Sequence, residues 1–180
     1  MPSWSNTRFR SLETFIRVAV VVLAFWRADR AFGEQTNAVP AQTAEPLAIV
    51  VNKANPTDNL TTEELRKYFR MEREHWPDGR KNSVVMLPPG AAEREAVLRL
   101  IYETNEPGFA KHFLQATYAG KLQAQPKELA NSANVRKFIF NVPGAIGFVR
   151  ASQLDDTVKA LRIDGHLPGD AGYTLKLAPK

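Results

Sequence analysis

The ten residues Asn141–Arg150, NVPGAIGFVR, constrain the fold of this chain more than any other stretch. A helical pattern of apolar residues runs up to Val142 and stops there. Pro143 has no N–H to donate, and it pushes the residue before it out of the helical region. Gly144 is expected to take the positive φ of a tight corner. Ala145–Val149 then reads as a buried strand of small residues with an apolar end. Gly147 inside that strand signals that another backbone, or a ligand, comes close. A core strand entered directly from a helix needs partner strands beside it, and the chain must supply them.

The preceding segments do so. Leu47–Asn52 (LAIVVN) is a β-branched apolar run closed by turn residues, hence a buried strand. After the turn Asn55-Pro56-Thr57-Asp58, Thr61-Thr62-Glu63-Glu64 fits a capping box with Thr61 as N-cap. Leu60 and Leu65 form its hydrophobic staple. That helix is predicted to run to about Met71, burying Leu65, Tyr68 and Phe69. Trp76-Pro77-Asp78-Gly79 is a turn with proline at its second position. Its Trp76 is read as a lid on the core rather than a platform for a ligand. Ser83–Leu87 (SVVML) is a second buried strand. Pro88-Pro89-Gly90-Ala91-Ala92 follows it into a helix whose buried face is Val97, Leu98, Ile101 and Tyr102.

Pro107 opens a helix carrying Phe109, Phe113 and Tyr118, ended by Gly120. Pro126 is predicted to open another, with Leu129, Val135, Phe138, Ile139 and Val142 inward. Val158–Ile163 with Asp164-Gly165 is a last strand and turn. Beyond it, Tyr173, Leu175 and Leu177 alternate in a loop-like tail. Four strands alternating with four helices predict an α/β domain whose sheet is at least partly parallel.

Charge sets the N-terminus apart from that domain. Of 24 basic and 19 acidic residues, five and two fall within 1–33, a local +3, which leaves only +2 for the rest. So weak a bias, with no long Lys/Arg run, argues against a nucleic-acid partner. Arg8, Arg10 and Arg17 precede Val18–Trp26 (VAVVVLAFW), an apolar run that suits the core of a signal peptide. It is far short of the roughly 20 residues that cross a bilayer as a helix. Ala31 and Gly33 supply small residues for cleavage after Gly33, so residues 1–33 are expected to be an export signal. No stable membrane insertion of the mature chain is expected. Arg27, Asp29 and Arg30 crowd the cut, so an uncleaved interfacial anchor is the alternative. Residues 34–46 read as a flexible linker.

Signatures of catalysis are missing. The chain has no cysteine, no GxSxG, no Walker loop, no GxGxxG and no HExxH. His75, His112 and His166 lack ligand spacing, and the adjacent Asp155 and Asp156 diverge on a strand or helix. No catalytic residue, metal or cofactor is expected. One arrangement could bind an anion: the strand, glycine loop and helix start at Gly90, Ala91, Ala92 and Arg94, with free backbone N–H groups and one cation. Against it, Ala91 and Ala92 lack hydroxyls, and Glu93 and Glu95 already complement the positive helix end. A plain strand–helix junction with acidic capping is the competing reading.

Taken in order, LAIVVN, NLTTEELRKYF, HWPDG, SVVMLP with its glycine loop, PGAIGFV, LRIDG and GYTLKL resemble the periplasmic phosphate-binding proteins of ABC transporters. They are closer still to short exported proteins with a similar lobe. PGAIGFV, matching the family's PGAIGYV, is the most specific piece. The match spans residues 47–177. This resemblance implies one lobe of a type II periplasmic binding protein, α/β with a mixed sheet flanked by helices, equivalent to the family's second lobe. The family's phosphate loop carries an arginine and a Gly-Ser-Gly-Thr-like run. Here the matching positions hold Leu87, Gly90, Ala91, Ala92 and Glu93, with Arg94 as the nearest cation. The resemblance therefore implies an exported, non-enzymatic solute-binding fold that binds phosphate or another small anion weakly or not at all. The alternative is an accessory or sensory module with no small ligand, serving a membrane transporter or sensor protein.

Overall fold

In a computed structural model of the chain, which describes residues 44–120 and 125–178, the PGAIGFV strand is the middle of a five-stranded mixed sheet. From one edge to the other the order is β4 (Lys127–Glu128), β3 (Ser83–Met86), β5 (Ala145–Arg150), β1 (Leu47–Val51) and β6 (Lys159–Ala160). The long pairing is antiparallel, Leu47 opposite Arg150 through Val51 opposite Ile146. On its other side β5 runs parallel to β3, and β3 runs parallel to β4. A separate two-stranded parallel pair joins β2 (Asn59–Leu60) to β7 (Arg162–Ile163). The α/β class with a mixed sheet is therefore observed.

Helices cover both faces, which is why β1 and β5 read as unbroken apolar runs rather than alternating ones. All five residues of β1 are fully buried, and β5 is buried from Ala145 to Val149. On one face lies α4 (Ser132–Asn141), packed on β5 and β1. Gly147 is what lets it approach. A Cβ there would lie 2.5 Å from Val85 on the neighbouring strand, 3.1 Å from Val135 and 3.2 Å from Ile139 of α4. Phe148 points to the opposite face, where its ring meets Phe69 at 6.4 Å between centroids. Phe69 ends α1 (Thr62–Phe69), and its ring is edge-on to Tyr102. Tyr102 closes a π-helical turn, Leu98–Tyr102, that continues α2 (Ala92–Val97). The neighbours that the strand glycine announces are thus side chains, first Val85 of β3 and then two residues of α4.

Local expectations hold best where the chemistry is local. Thr61 and Glu64 form the capping box, and Leu60 and Leu65 are both buried. Trp76 is a lid: 2% exposed, stacked on Tyr68 at 4.2 Å, its indole N–H donating to the Gly144 carbonyl at 2.9 Å. Four expectations need correction. Gly144 does not take a positive φ. It is glycine because a Cβ would sit 2.1 Å from the Lys81 carbonyl oxygen, so the demand is for space and not for rotation. Pro126 opens no helix. Lys127–Glu128 pairs with β3, and α4 starts at Ser132 behind the Asn131 cap, whose side chain accepts from the Asn134 N–H. In the helix that follows Pro107, α3 (Glu106–Tyr118), Phe109 and Phe113 are buried but Tyr118 is 84% exposed. Val158–Ile163 is two short strands, β6 against β1 and β7 against β2.

The tail is more ordered than its loop-like sequence suggests. Tyr173, Leu175 and Leu177 are buried, and the entry and exit of the domain are joined by backbone bonds: the Leu47 N–H donates to the Leu175 carbonyl and the Leu177 N–H to the Glu45 carbonyl, both at 2.9 Å. The Tyr173 hydroxyl donates to the Leu47 carbonyl at 2.7 Å. The signal-like segment 1–33 and residues 34–43 of the linker lie outside the described residues. Among those described, no helix is long and apolar enough to cross a membrane.

These contacts rank three substitutions. Gly147→Ala should destabilise by about 1–3 kcal/mol, the usual cost of overpacking a core. Gly144→Ala should cost more, because the obstructing atom is backbone. Gly90→Ala has open space around it and only its φ of +85° to resist, so about 1–2 kcal/mol is expected. Urea unfolding of the three variants reads the order directly, and Gly90→Ala as the most damaging would contradict it.

Candidate functional site

β3, β4 and β5 are parallel, so their carboxyl ends leave the sheet at one edge. In open α/β sheets that edge is where ligands lie. The loop after β3 crosses it and feeds α2. Gly90 turns the loop at φ +85° and is exposed. Ala91 donates its N–H to the Pro88 carbonyl at 3.2 Å and caps α2 without a side-chain bond. Ala92 begins the helix, half-buried.

Arg94 is different. It is only 5% exposed, and its guanidinium turns back beneath the loop. Nη1 donates to the Leu87 carbonyl at 2.7 Å and lies 3.4 Å from a Glu128 carboxylate oxygen at the end of β4. Nε donates to one oxygen of Glu106 at 2.9 Å while Nη2 donates to the other. The Phe109 ring lies 5.1 Å from the guanidinium carbon. Every nitrogen of this buried cation is engaged, as burial of a charge demands. The pairing with Glu106 is bidentate, the strongest form available to an arginine.

A second arginine stands at the same edge. Arg150 ends β5, donating from Nε to Glu93 at 2.5 Å and from Nη1 to Glu45 at 2.9 Å. The Ser152 hydroxyl donates to the other Glu45 oxygen. The Ser152 hydrogen bond, with Arg150 beside it, holds the Glu45 carboxyl below the usual glutamate range. The Glu93 hydrogen bond raises the already high pKa of Arg150. Glu93 therefore serves Arg150, which corrects its reading as a residue that merely complements the helix end. Two arginines face four carboxylates here, and the cluster is formally two charges negative.

Beside the loop opens a cleft of ≈530 Å³ that brings Gly90 and Leu98 onto one surface with Asn105, Glu106 and Pro107. The four candidate residues are contiguous, but they present different things. Gly90 forms part of the cleft wall, Ala91 and Ala92 offer only backbone, and Arg94 is committed to Glu106, Glu128 and Leu87. Glu106, Glu128, Arg150 and Glu45 escape a reading by motif because their partners are remote in sequence. One signal was present: Arg94 shares a helical face with Val97, Leu98 and Ile101, and a charge on an apolar stripe must be paired. The Pro143-Gly144 corner is not part of this edge. It leads into the amino end of β5, beside Ser83 at the start of β3. Among the described residues no group of His, Cys, Asp and Glu has the arrangement of a metal site.

No protein-family model matches the chain. In sequence it is 27% identical over 123 residues to the phosphate-binding protein PstS of Bacillus subtilis (strain 168), a match covering 68% of this chain and 37% of that protein. In structure it is similar to an ABC-type phosphate transport receptor from Vibrio cholerae, with a TM-score of 0.58 and 21% identity over 71% of this chain and 49% of the other. A similar likeness, TM-score 0.58 at 14% identity, relates it to PstS from Borrelia burgdorferi over 74% of this chain and 55% of that one. The resemblance to phosphate-binding proteins of ABC transporters thus holds in sequence and in fold. The chain spans about half, or less, of the length of the proteins it matches.

Glu45 gives this edge a pH signature. Its folded-state pKa is lowered, so its contribution to stability is complete above the free-glutamate value of 4.5 and is lost as the pH falls through the lowered value. The stability gap between the unaltered chain and Glu45→Gln should be constant near neutrality and narrow below pH 4.5. Urea unfolding across that window measures it, and a gap that widens in acid would contradict the assignment.

Proposed function

We propose that this chain is an exported, non-enzymatic protein of solute-binding fold, resembling part of a phosphate ABC transporter substrate-binding protein, whose own anion binding at Gly90, Ala91, Ala92 and Arg94 is weak or lost. The observation that carries this reading is the occupation of Arg94 by Glu106. Phosphate in a water-poor site needs several charge-assisted hydrogen bonds. Here Arg94, the cation of the loop's own helix turn, is already paired with Glu106 and lies near Glu128, while Arg99 on the cleft wall is an exposed cation beside Glu95 and Glu106. Loops without hydroxyls add only backbone N–H groups. Export is supported by the arginine-flanked Val18–Trp26 run and the small residues before Glu34, with residues 34–46 as linker and 47–177 as the domain.

A second reading, an accessory or sensory module for a membrane transporter or sensor, draws on a separate observation. Leu114 is 52% exposed and Tyr118 84% exposed, four residues apart on the outer side of α3. Large apolar side chains adjacent on a helix face suit a protein partner.

Calorimetry of the purified chain against phosphate, sulfate and small carboxylates separates the cases. Weak heats at millimolar ligand, or none for phosphate, are expected. Micromolar phosphate binding would overturn weak or lost binding. If no anion gives heat, binding is lost and the interaction module is favoured, and Leu114→Ser with Tyr118→Ser should then abolish recovery of a partner from an envelope extract.

A further inference from the structure

We infer that the Arg94 guanidinium is a built carboxylate site which the protein fills with its own Glu106, and that the outside ligand it accepts is a small monocarboxylate entering through the adjoining cleft. This deepens the proposed function and rests on it, since it names the ligand class of the same edge.

Three features make it a site and not only an ion pair. First, Arg94 keeps its place without Glu106. Its Nη1 is anchored to the Leu87 carbonyl at 2.7 Å, and the Phe109 ring lies against the guanidinium. Second, Glu106 is not needed to start its helix. Asn105 caps α3, its side chain accepting from the Gly108 N–H at 3.0 Å. The Glu106 carboxylate is thus free to serve Arg94, and removing it leaves the helix capped. Third, the burial is one-sided. The Arg94 side chain is 6% exposed and that of Glu106 is 40% exposed, and Glu106 is the partner of the pair that lines the cleft beside Gly90.

Shape and charge then choose the ligand. Nε and Nη2 lie in one plane and meet the two oxygens of a carboxylate, which is the group now bound. A monocarboxylate replacing Glu106 restores the charge that is removed. Phosphate would bring more negative charge beside Glu128, which already stands 3.4 Å from Nη1, and Nη1 is committed to backbone. In the unaltered chain a tethered carboxylate competes at an effective concentration of about millimolar or more, so free carboxylates bind poorly.

The test is chemical rescue in the full-length chain. Glu106→Ala should lower the melting temperature, and formate or acetate should bind it with a millimolar dissociation constant, seen by calorimetry or NMR, and recover part of the lost melting temperature. Sodium chloride at the same ionic strength should not. Glu106→Gln, which keeps the space filled, should show no rescue, and neither should the unaltered chain. If Glu106→Ala does not fold, Glu106→Ser makes the same comparison. Absent rescue overturns the inference, and so does phosphate binding Glu106→Ala more tightly than acetate does. Tight phosphate binding by the unaltered chain would instead sink the functional reading, so the two failures are distinguishable.

Discussion

The antiparallel register of β1 against β5 is the constraint on which the other elements depend. Five consecutive residues of β1 are fully buried, so neither face of this pair can meet water, and each must be covered by helix. On one side the cover is α4, whose Val135 and Ile139, with Val85 of β3, leave little room for a side chain at position 147. On the other it is the aromatic cluster of Phe69, Tyr102 and Phe148 under α1 and the π-helical turn. Tyr102 also donates its hydroxyl to the Phe69 carbonyl at 2.7 Å, so the cluster satisfies the end of α1 as well as packing. Burial in this cluster pushes the Tyr102 phenol pKa well above its ordinary value, and it stays a neutral donor at any ordinary pH.

Because the core is spent on the sheet, the charged residues gather at its carboxyl edge. Arg94 and Arg150 are each drawn to two carboxylates from different elements, and these pairs tie α2 to α3 and β4, and β5 to α2 and to Glu45 just before β1. Half-buried ion pairs of this kind add little net stability when compared with apolar packing, yet breaking one partner leaves an unpaired charge. At the edge where other α/β sheets hold ligands, the arginines are thus met by the protein's own acids. Phosphate-binding proteins share the fold over some 70% of this chain.

Most of the fold is legible from local chemistry. The capping box at Thr61, the staple of Leu60 and Leu65, the Trp76 turn and the buried runs of β1, β3 and β5 follow from neighbours a few residues away, and sequence spacing shows such neighbours. Reading fails where a long-range pairing overrides a local signal. Pro126 looks like a helix start, but Lys127 and Glu128 find a strand edge on β3. Val158–Ile163 looks continuous, but its halves are claimed by β1 and by β2. Of the candidate site, the loop Gly90–Ala92 and the place of Arg94 in the first turn of α2 were within reach. The carboxylates that meet Arg94 were not, because Glu106 and Glu128 lie 12 and 34 residues away.

The Asn141–Arg150 stretch shows the division most clearly. Its sequence determined that a helix must stop at Val142 and that a buried strand must follow, since proline's missing donor and the apolar run act through adjacent residues. Tertiary structure alone decided why its two glycines are there. One makes room for the Lys81 carbonyl and the other for the side chains of α4 and Val85. Likewise the sequence placed a cation, Arg94, in the first turn of α2, and only the folded state decided that it is buried and that Glu106 meets it. Covalent order fixes what a residue can do; which charge it meets depends on which strands lie side by side.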